Sequence, residues 1–216
     1  FKHIKYYFPS TKIPQVITLT NNVDYQIKTV YSDSLLLISL DTFLGSDNIL
    51  YEGIPNYIRK ELDQKYIPSQ IVEKFSAYVI PPLDNRTFLA YMIYEGKKLF
   101  LQDILLPKDE DTIKIAYSKN ELDWVIKNEV HIWKFFIEKQ LLYSTDIELV
   151  ERFIEPAPFS KFYLQLDNES PGKIGRWIGW QIIRSFHEQN PDFPLQKLLN
   201  MSFQKIFNQS RYKPKQ

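Results

Sequence analysis

The stretch Asn168–Phe186, NESPGKIGRWIGWQIIRSF, gathers three of the chain's six glycines and two of its four tryptophans, and its reading decides the fold. Ser170-Pro171 is a helix-start signal, because proline's fixed φ and missing N–H suit a first helical turn. Apolar residues at Ile174, Trp177, Ile178 and Ile182, with Gln181 on the same face, recur at helical spacing and predict a helix over about 172 to 187. The opposite face carries Gly175 and Gly179, four residues apart. Each glycine costs roughly 1 kcal/mol against alanine inside a helix. The pair therefore implies that a second backbone approaches closely, or that function requires it.

Outward from this helix, the N-terminal part reads as strands. β-rich runs lie at Gln15–Thr20, Gln26–Tyr31 and Leu35–Leu40, and Leu35-Leu36-Leu37-Ile38 is apolar on both faces, as in a covered central strand. From Pro55 the pattern is helical. Pro55 opens a short helix through Leu62, Pro68-Ser69 opens one to about Val79, and residues 85–106 form a longer one with Phe88, Met92, Leu99 and Leu106 at core spacing and Gly96 inside. Asp109, Glu110 and Asp111 read as an acidic loop. Ser118-Lys-Asn-Glu121 is a capping box that starts a helix to about Leu141. Shorter helices are predicted at 146–154, 194–199 and 202–208, with a frayed tail from Arg211. The sum is an α+β fold: a small N-terminal sheet over about 15–40, then helices over about 55–210, in one domain spanning 1–216.

Composition narrows the function. With 44% hydrophobic residues the chain can bury a full core, and 27 basic against 26 acidic residues give a net charge of +1, which argues against a nucleic-acid surface. The absence of cysteine excludes disulfides and thiolate chemistry within these residues. The densest apolar run, Ser34–Leu40, is far short of the ~20 residues that span a bilayer. Because the chain starts at Phe1 rather than methionine, it reads as a fragment or a mature form, and any signal peptide or lipid-attachment cysteine would lie upstream.

Catalytic signals are sparse. His3, His131 and His187 form no i, i+4 pair, and neither phosphate-loop nor nucleophile-elbow spacing occurs. Two stretches nonetheless share the layout of a zinc-protease core, in which an HExxH helix gives two histidine ligands and a glutamate base and a later helix gives a carboxylate ligand. Val72-Glu73-Lys74-Phe75-Ser76 occupies the HExxH frame, and Glu95-Gly96 follows at a plausible distance, yet both histidines are missing. From spacing alone, Glu73 and Glu95 read as ordinary solvated helix residues, Glu95 pairing with Lys98 at i, i+3. Arg176 and Lys173 suit an anion or a pairing with Asp167 and Glu169. Trp177 and Trp180 suit either a ligand groove or a packed core.

The long segments Ser34–Asp41 with Phe43-Leu-Gly45, Ile54–Arg59, Met92–Leu99, Ile132–Phe136, Leu142–Thr145, Pro158–Tyr163 and Asn168–Gly172 through Trp180 together resemble the gliding-motility lipoproteins of the GldB family, over about Ile13 to Pro214. That resemblance implies a periplasm-facing lipoprotein, anchored to the membrane only through the upstream lipid, with partners among the gliding-motility and type IX secretion proteins of the envelope. The family is in turn similar to zincin-like proteases, so the helical part is expected to be metalloprotease-like. Glu95-Gly96 and the Gly175–Gly179 helix match two elements of that pattern, whereas Val72 and Ser76 stand where histidines would. The expectation is a pseudo-enzyme without cofactor or metal, with Glu73 and Glu95 as vestigial site residues. Tyr91, Arg176, Trp177 and Trp180 would border a binding cleft. Gly96, Gly175 and Gly179 would allow helix packing, the Gly175–Gly179 face meeting the helix that carries Glu95 or the one that carries Glu73. The alternatives are a surviving hydrolase that brings in His131 or His187, and a purely structural domain with an inert cleft.

Overall fold

The strand-forming runs near the N-terminus assemble as a mixed three-stranded sheet in the computed structural model, which describes residues 1–164 and 167–214. The strands are β1 (Gln15–Leu19), β2 (Thr29–Tyr31) and β3 (Leu35–Ser39), in the order β1-β3-β2, with β1 parallel and β2 antiparallel to β3. Period-two alternation sends Leu36 and Ile38 of β3 and Tyr31 and Thr29 of β2 to the buried face. The loop between β1 and β2 is held by the Asp41 carboxylate, which accepts the backbone N–H groups of Asn21 and Val23.

Ten helices follow or flank the sheet among the described residues: α1 (Lys2–Tyr7), α2 (Asn56–Arg59), α3 (Ile67–Val79), α4 (Phe88–Leu105), α5 (Asp111–Ile115), α6 (Lys119–Glu138), α7 (Glu148–Phe153), α8 (Ile174–Gln189), α9 (Leu195–Asn200) and α10 (Phe203–Ser210). The fold class is α+β with a small sheet and dominant helices. The backbone separates into two compact units, residues 1–78 with 101–116, and residues 79–100 with those from 117 onward.

The first unit buries Phe43, Tyr51, Leu62, Tyr66 and Phe75 along with the inner sheet face. Phe75 meets Phe8 and Tyr31 edge-on at 5.4 and 5.7 Å, an arrangement that favours ring quadrupoles. Ser69 on α3 donates to Gln102 Oε1 at 2.8 Å, so two buried polar groups satisfy each other. The second unit centres on Phe88, Phe136 and Phe153, whose rings lie 5.1–5.7 Å apart, with α8 buried along most of its length.

Several boundaries differ from the sequence reading, for local reasons. The Ser118 capping box forms, Ser118 Oγ accepting from Glu121 N and Glu121 returning to Ser118 N, and it starts α6 at Lys119. Pro171, by contrast, does not begin α8. Ser170 Oγ donates toward the Asp167 and Ser160 carbonyls, and Gly172 lies against the backbone of Ala157, so the chain turns there and enters the helix through Lys173 at φ 60. Of the acidic stretch expected as loop, Asp109 and Glu110 stay outside any helix, while Asp111 opens the short α5, whose Lys114 pairs with Asp103 and Asp111. The tail does not fray at Arg211, because the next residue, Tyr212, is buried.

Candidate functional site: the Glu95 cluster

Helix α4 buries more than its apolar stripe, for Glu95, Gly96 and Lys97 are buried as well. A buried charge is tolerated when partners replace its lost hydration. Glu95 has two. Its Oε1 lies 2.6 Å from Lys98 Nζ, one turn on, and its Oε2 lies 3.3 Å from Arg176 Nη1 on α8. Arg176 also donates through Nε to the Ile154 carbonyl at 2.7 Å, which fixes the guanidinium, and Lys98 Nζ stands 4.5 Å from the centre of the Tyr94 ring.

The glycines bring these groups together. A Cβ on Gly96 would lie 2.7 Å from Trp180 N and overlap the Gly179 carbonyl, while a Cβ on Gly179 would overlap the Met92 carbonyl. Met92 also borders Gly175. Helices α4 and α8 therefore touch backbone to backbone at Met92–Gly96 and Gly175–Trp180, which places Arg176 within reach of Glu95. The helix that meets the glycine face is thus the one bearing Glu95.

The tryptophans lie inside the unit rather than on a cleft rim. Trp180 has no exposed surface and Trp177 is 4% exposed, their rings meeting edge-on at 5.8 Å. Trp177 Nε1–H donates to Glu129 Oε2 at 2.8 Å, and Tyr212 O–H donates to Glu129 Oε1 at 2.9 Å. This relay ties α8, α6 and the C-terminal tail together, which is why Tyr212 is docked. Burial first, then the charge of Glu129 and the hydrogen bond to it, push the Tyr212 phenol well above its ordinary range. Tyr117 donates to the Gly172 carbonyl, and burial is the main cause that raises its pKa; Glu121 raises it further and Arg176 opposes. Lys97 donates to the carbonyls of Leu199 and Met201 at 2.8 Å each, capping α9, and burial lowers its pKa to about 8 against a smaller upward pull from Asp84.

Glu73 lies half-buried on α3 in the first unit, and Tyr91 lies half-buried on α4 in the second. Val72 and Ser76, in the histidine positions of the HExxH frame, are core residues 3% and 1% exposed, and Ser76 Oγ donates to the Glu73 carbonyl. Neither offers a nitrogen ligand, and among the described residues no three histidine, cysteine or acidic side chains converge as a metal site. The residues present do not fit a zinc ion. His3 Nδ1 is 2.7 Å from the Leu105 carbonyl, His187 packs on Phe100, and His131 borders a cavity of about 150 Å³ with Trp124, Asn128 and Phe162.

Sequence reasoning missed Glu129, Tyr212 and Lys97. A signal for two of them was present. Glu129 falls four residues after Val125 and three before Ile132, and Lys97 falls four after Ile93 and three before Phe100, so each sits on a core stripe. No such signal marked Tyr212.

A family model described as gliding motility protein GldB matches residues 1–214. No curated protein and no solved structure matches the chain.

Proposed function

Because the chain belongs to the gliding motility protein GldB family, a family of lipoproteins, we propose that it acts as a non-catalytic, periplasm-facing domain that binds another envelope protein of gliding motility or type IX secretion. A part in gliding motility and lipid anchoring at the envelope follow from the family. Among the described residues no helix is long and apolar enough to cross a membrane.

The observation that supports binding over catalysis is the engagement of Glu95. A general base needs an oxygen free to take a proton, and a metal ligand needs one aimed at the metal. Both oxygens of this buried carboxylate are instead held by Lys98 and Arg176. A zincin-like ancestry is our reading of Glu73, Glu95 and the glycine-bearing helix, with the metal-binding positions replaced by Val72 and Ser76. In the second unit the partly exposed Tyr91, Tyr94, Lys98 and Arg176 lie around Glu95 and are the face we assign to a partner.

The test joins metal analysis and peptide hydrolysis of the purified protein to crosslinking in the native envelope. Expected are no stoichiometric zinc, no hydrolysis, and a crosslinked partner whose yield falls in Tyr91→Ala and Tyr94→Ala variants that unfold at the wild-type midpoint. Stoichiometric zinc, with a peptidase activity lost in Glu95→Gln, overturns the proposal.

A further inference from the structure

The two free edges of the sheet are unlike. In a parallel pair, alternate residues turn their N–H and C=O groups to the partner and the rest turn them away. Gln15 N–H donates to the Ser34 carbonyl, so Gln15, Ile17 and Leu19 face β3, and the backbone groups of Val16 and Thr18 point to the open side of β1. The opposite edge, β2, is only three residues long, and the Tyr78 hydroxyl donates to the Tyr31 carbonyl at 2.9 Å. Strand β1 is five residues long, QVITL, and four of its residues are exposed. It contains no charge and no proline, two of the devices by which natural edge strands resist pairing.

The surface beside this edge is apolar as well. The register sets Ile17, Leu37 and Val30 side by side across the outer face of the sheet, with Ile17 40% and Val30 42% exposed, and Val16 is 47% exposed on the other face. A covering helix would bury such side chains but leave the outward N–H and C=O groups of Val16 and Thr18 without ladder partners. An extended strand satisfies both.

We infer that β1 is a docking edge for an extended, uncharged segment of another protein, which adds as a fourth strand and pairs with Val16 and Thr18. The occupant is not a second copy of this chain. The edge is five residues long, whereas a stable dimer interface engages about 20–30 residues on each partner. Strand addition draws its affinity from main-chain hydrogen bonds and its selectivity from alternate side chains, so a short edge suffices. With no charge on β1, the side chains favoured next to Val16 and Ile17 are β-branched and apolar. This surface lies in the first unit and does not depend on the Glu95 cluster.

The test uses the full lipoprotein in gliding cells, with a photocrosslinking amino acid at Val16 and the adduct mapped residue by residue. The expected adduct falls within one uncharged, extended stretch of a different envelope protein. Thr18→Pro removes an outward N–H that β3 does not use, so the fold persists while strand addition is blocked. Its adduct yield should fall about fivefold to tenfold, the worth of one such hydrogen bond. Thr18→Lys, which charges the same edge, should fall in parallel and covers the case in which the proline variant misfolds. An adduct on a second copy of this chain, an adduct on a helix, no adduct, or unchanged yield in a folded Thr18 variant each overturns the inference.

Discussion

Replacing Gly96 with alanine should destabilise the second unit, although alanine is the better helix former by about 1 kcal/mol. The new Cβ would stand 2.7 Å from Trp180 N and nearer still to the Gly179 carbonyl, where ordinary contact begins at 3.4 Å. The obstructing atoms are all backbone, so no side chain can swing away and α4 and α8 must separate by about 1 Å to clear the Gly179 carbonyl. That shift loosens the van der Waals contact along Met92–Gly96 and lengthens the 3.3 Å pair between Arg176 and Glu95. Overpacking of a tight core costs about 1–3 kcal/mol, and weakening the buried pair adds to it. Set against the helix-propensity gain, a net loss of about 2 kcal/mol is expected, which urea unfolding would read as a midpoint lowered by about 1 M. Gly175→Ala provides the internal comparison. There the nearest obstacle is Ile154 Cδ1 at 2.6 Å, the tip of a side chain, so the cost should be smaller and should shrink again when Ile154→Val removes that methyl. A Gly96→Ala protein as stable as wild type would refute the close approach of the two helices.

Removing the Tyr212 hydroxyl in Tyr212→Phe leaves Glu129 Oε1 without that donor and should cost about 2 kcal/mol in urea unfolding, the scale of a hydrogen bond to a charged group. In a double-mutant cycle on Glu95→Gln and Arg176→Met, each single change takes one counter-charge from a partner held at 3.3 Å in a largely desolvated site, so the coupling energy should exceed about 1 kcal/mol; additive effects would show that the pair is not formed. Lys97 predicts a pH dependence. Its pKa is about 8 when folded and 10.5 ordinarily, so between these values the unfolded chain binds more protons and stability rises with pH, by about 3 kcal/mol across the whole window. The raised phenols of Tyr117 and Tyr212 act oppositely but only above their ordinary value of 10.0. Unfolding free energies from pH 7.5 to about 9.5 should therefore climb in wild type and stay flat in Lys97→Met.

Much of the architecture was legible locally. The capping box at Ser118 and Glu121 fixed the start of α6 because both partners lie within one turn, and β-rich runs marked the strands because strand propensity belongs to the residues themselves. The glycine pair at 175 and 179 announced a close helix contact, since only a missing Cβ permits it. The charged pairing of Glu95 with Lys98 was readable from its spacing, whereas the second cation, Arg176, lies 81 positions away and reaches Glu95 only because two helices meet at their glycines. The same holds for the tryptophans. Composition left Trp177 and Trp180 equally suited to a groove and to a core, and the fold buries both, with Glu129 accepting from the Trp177 N–H and from the Tyr212 hydroxyl of the tail. Sequence by itself determined most of the helix and strand segments and where backbones need room, because those depend on neighbours in the chain. Tertiary structure alone decided which charges are neutralised, which rings are hidden and which strand edge is left open, because each depends on atoms far away in sequence.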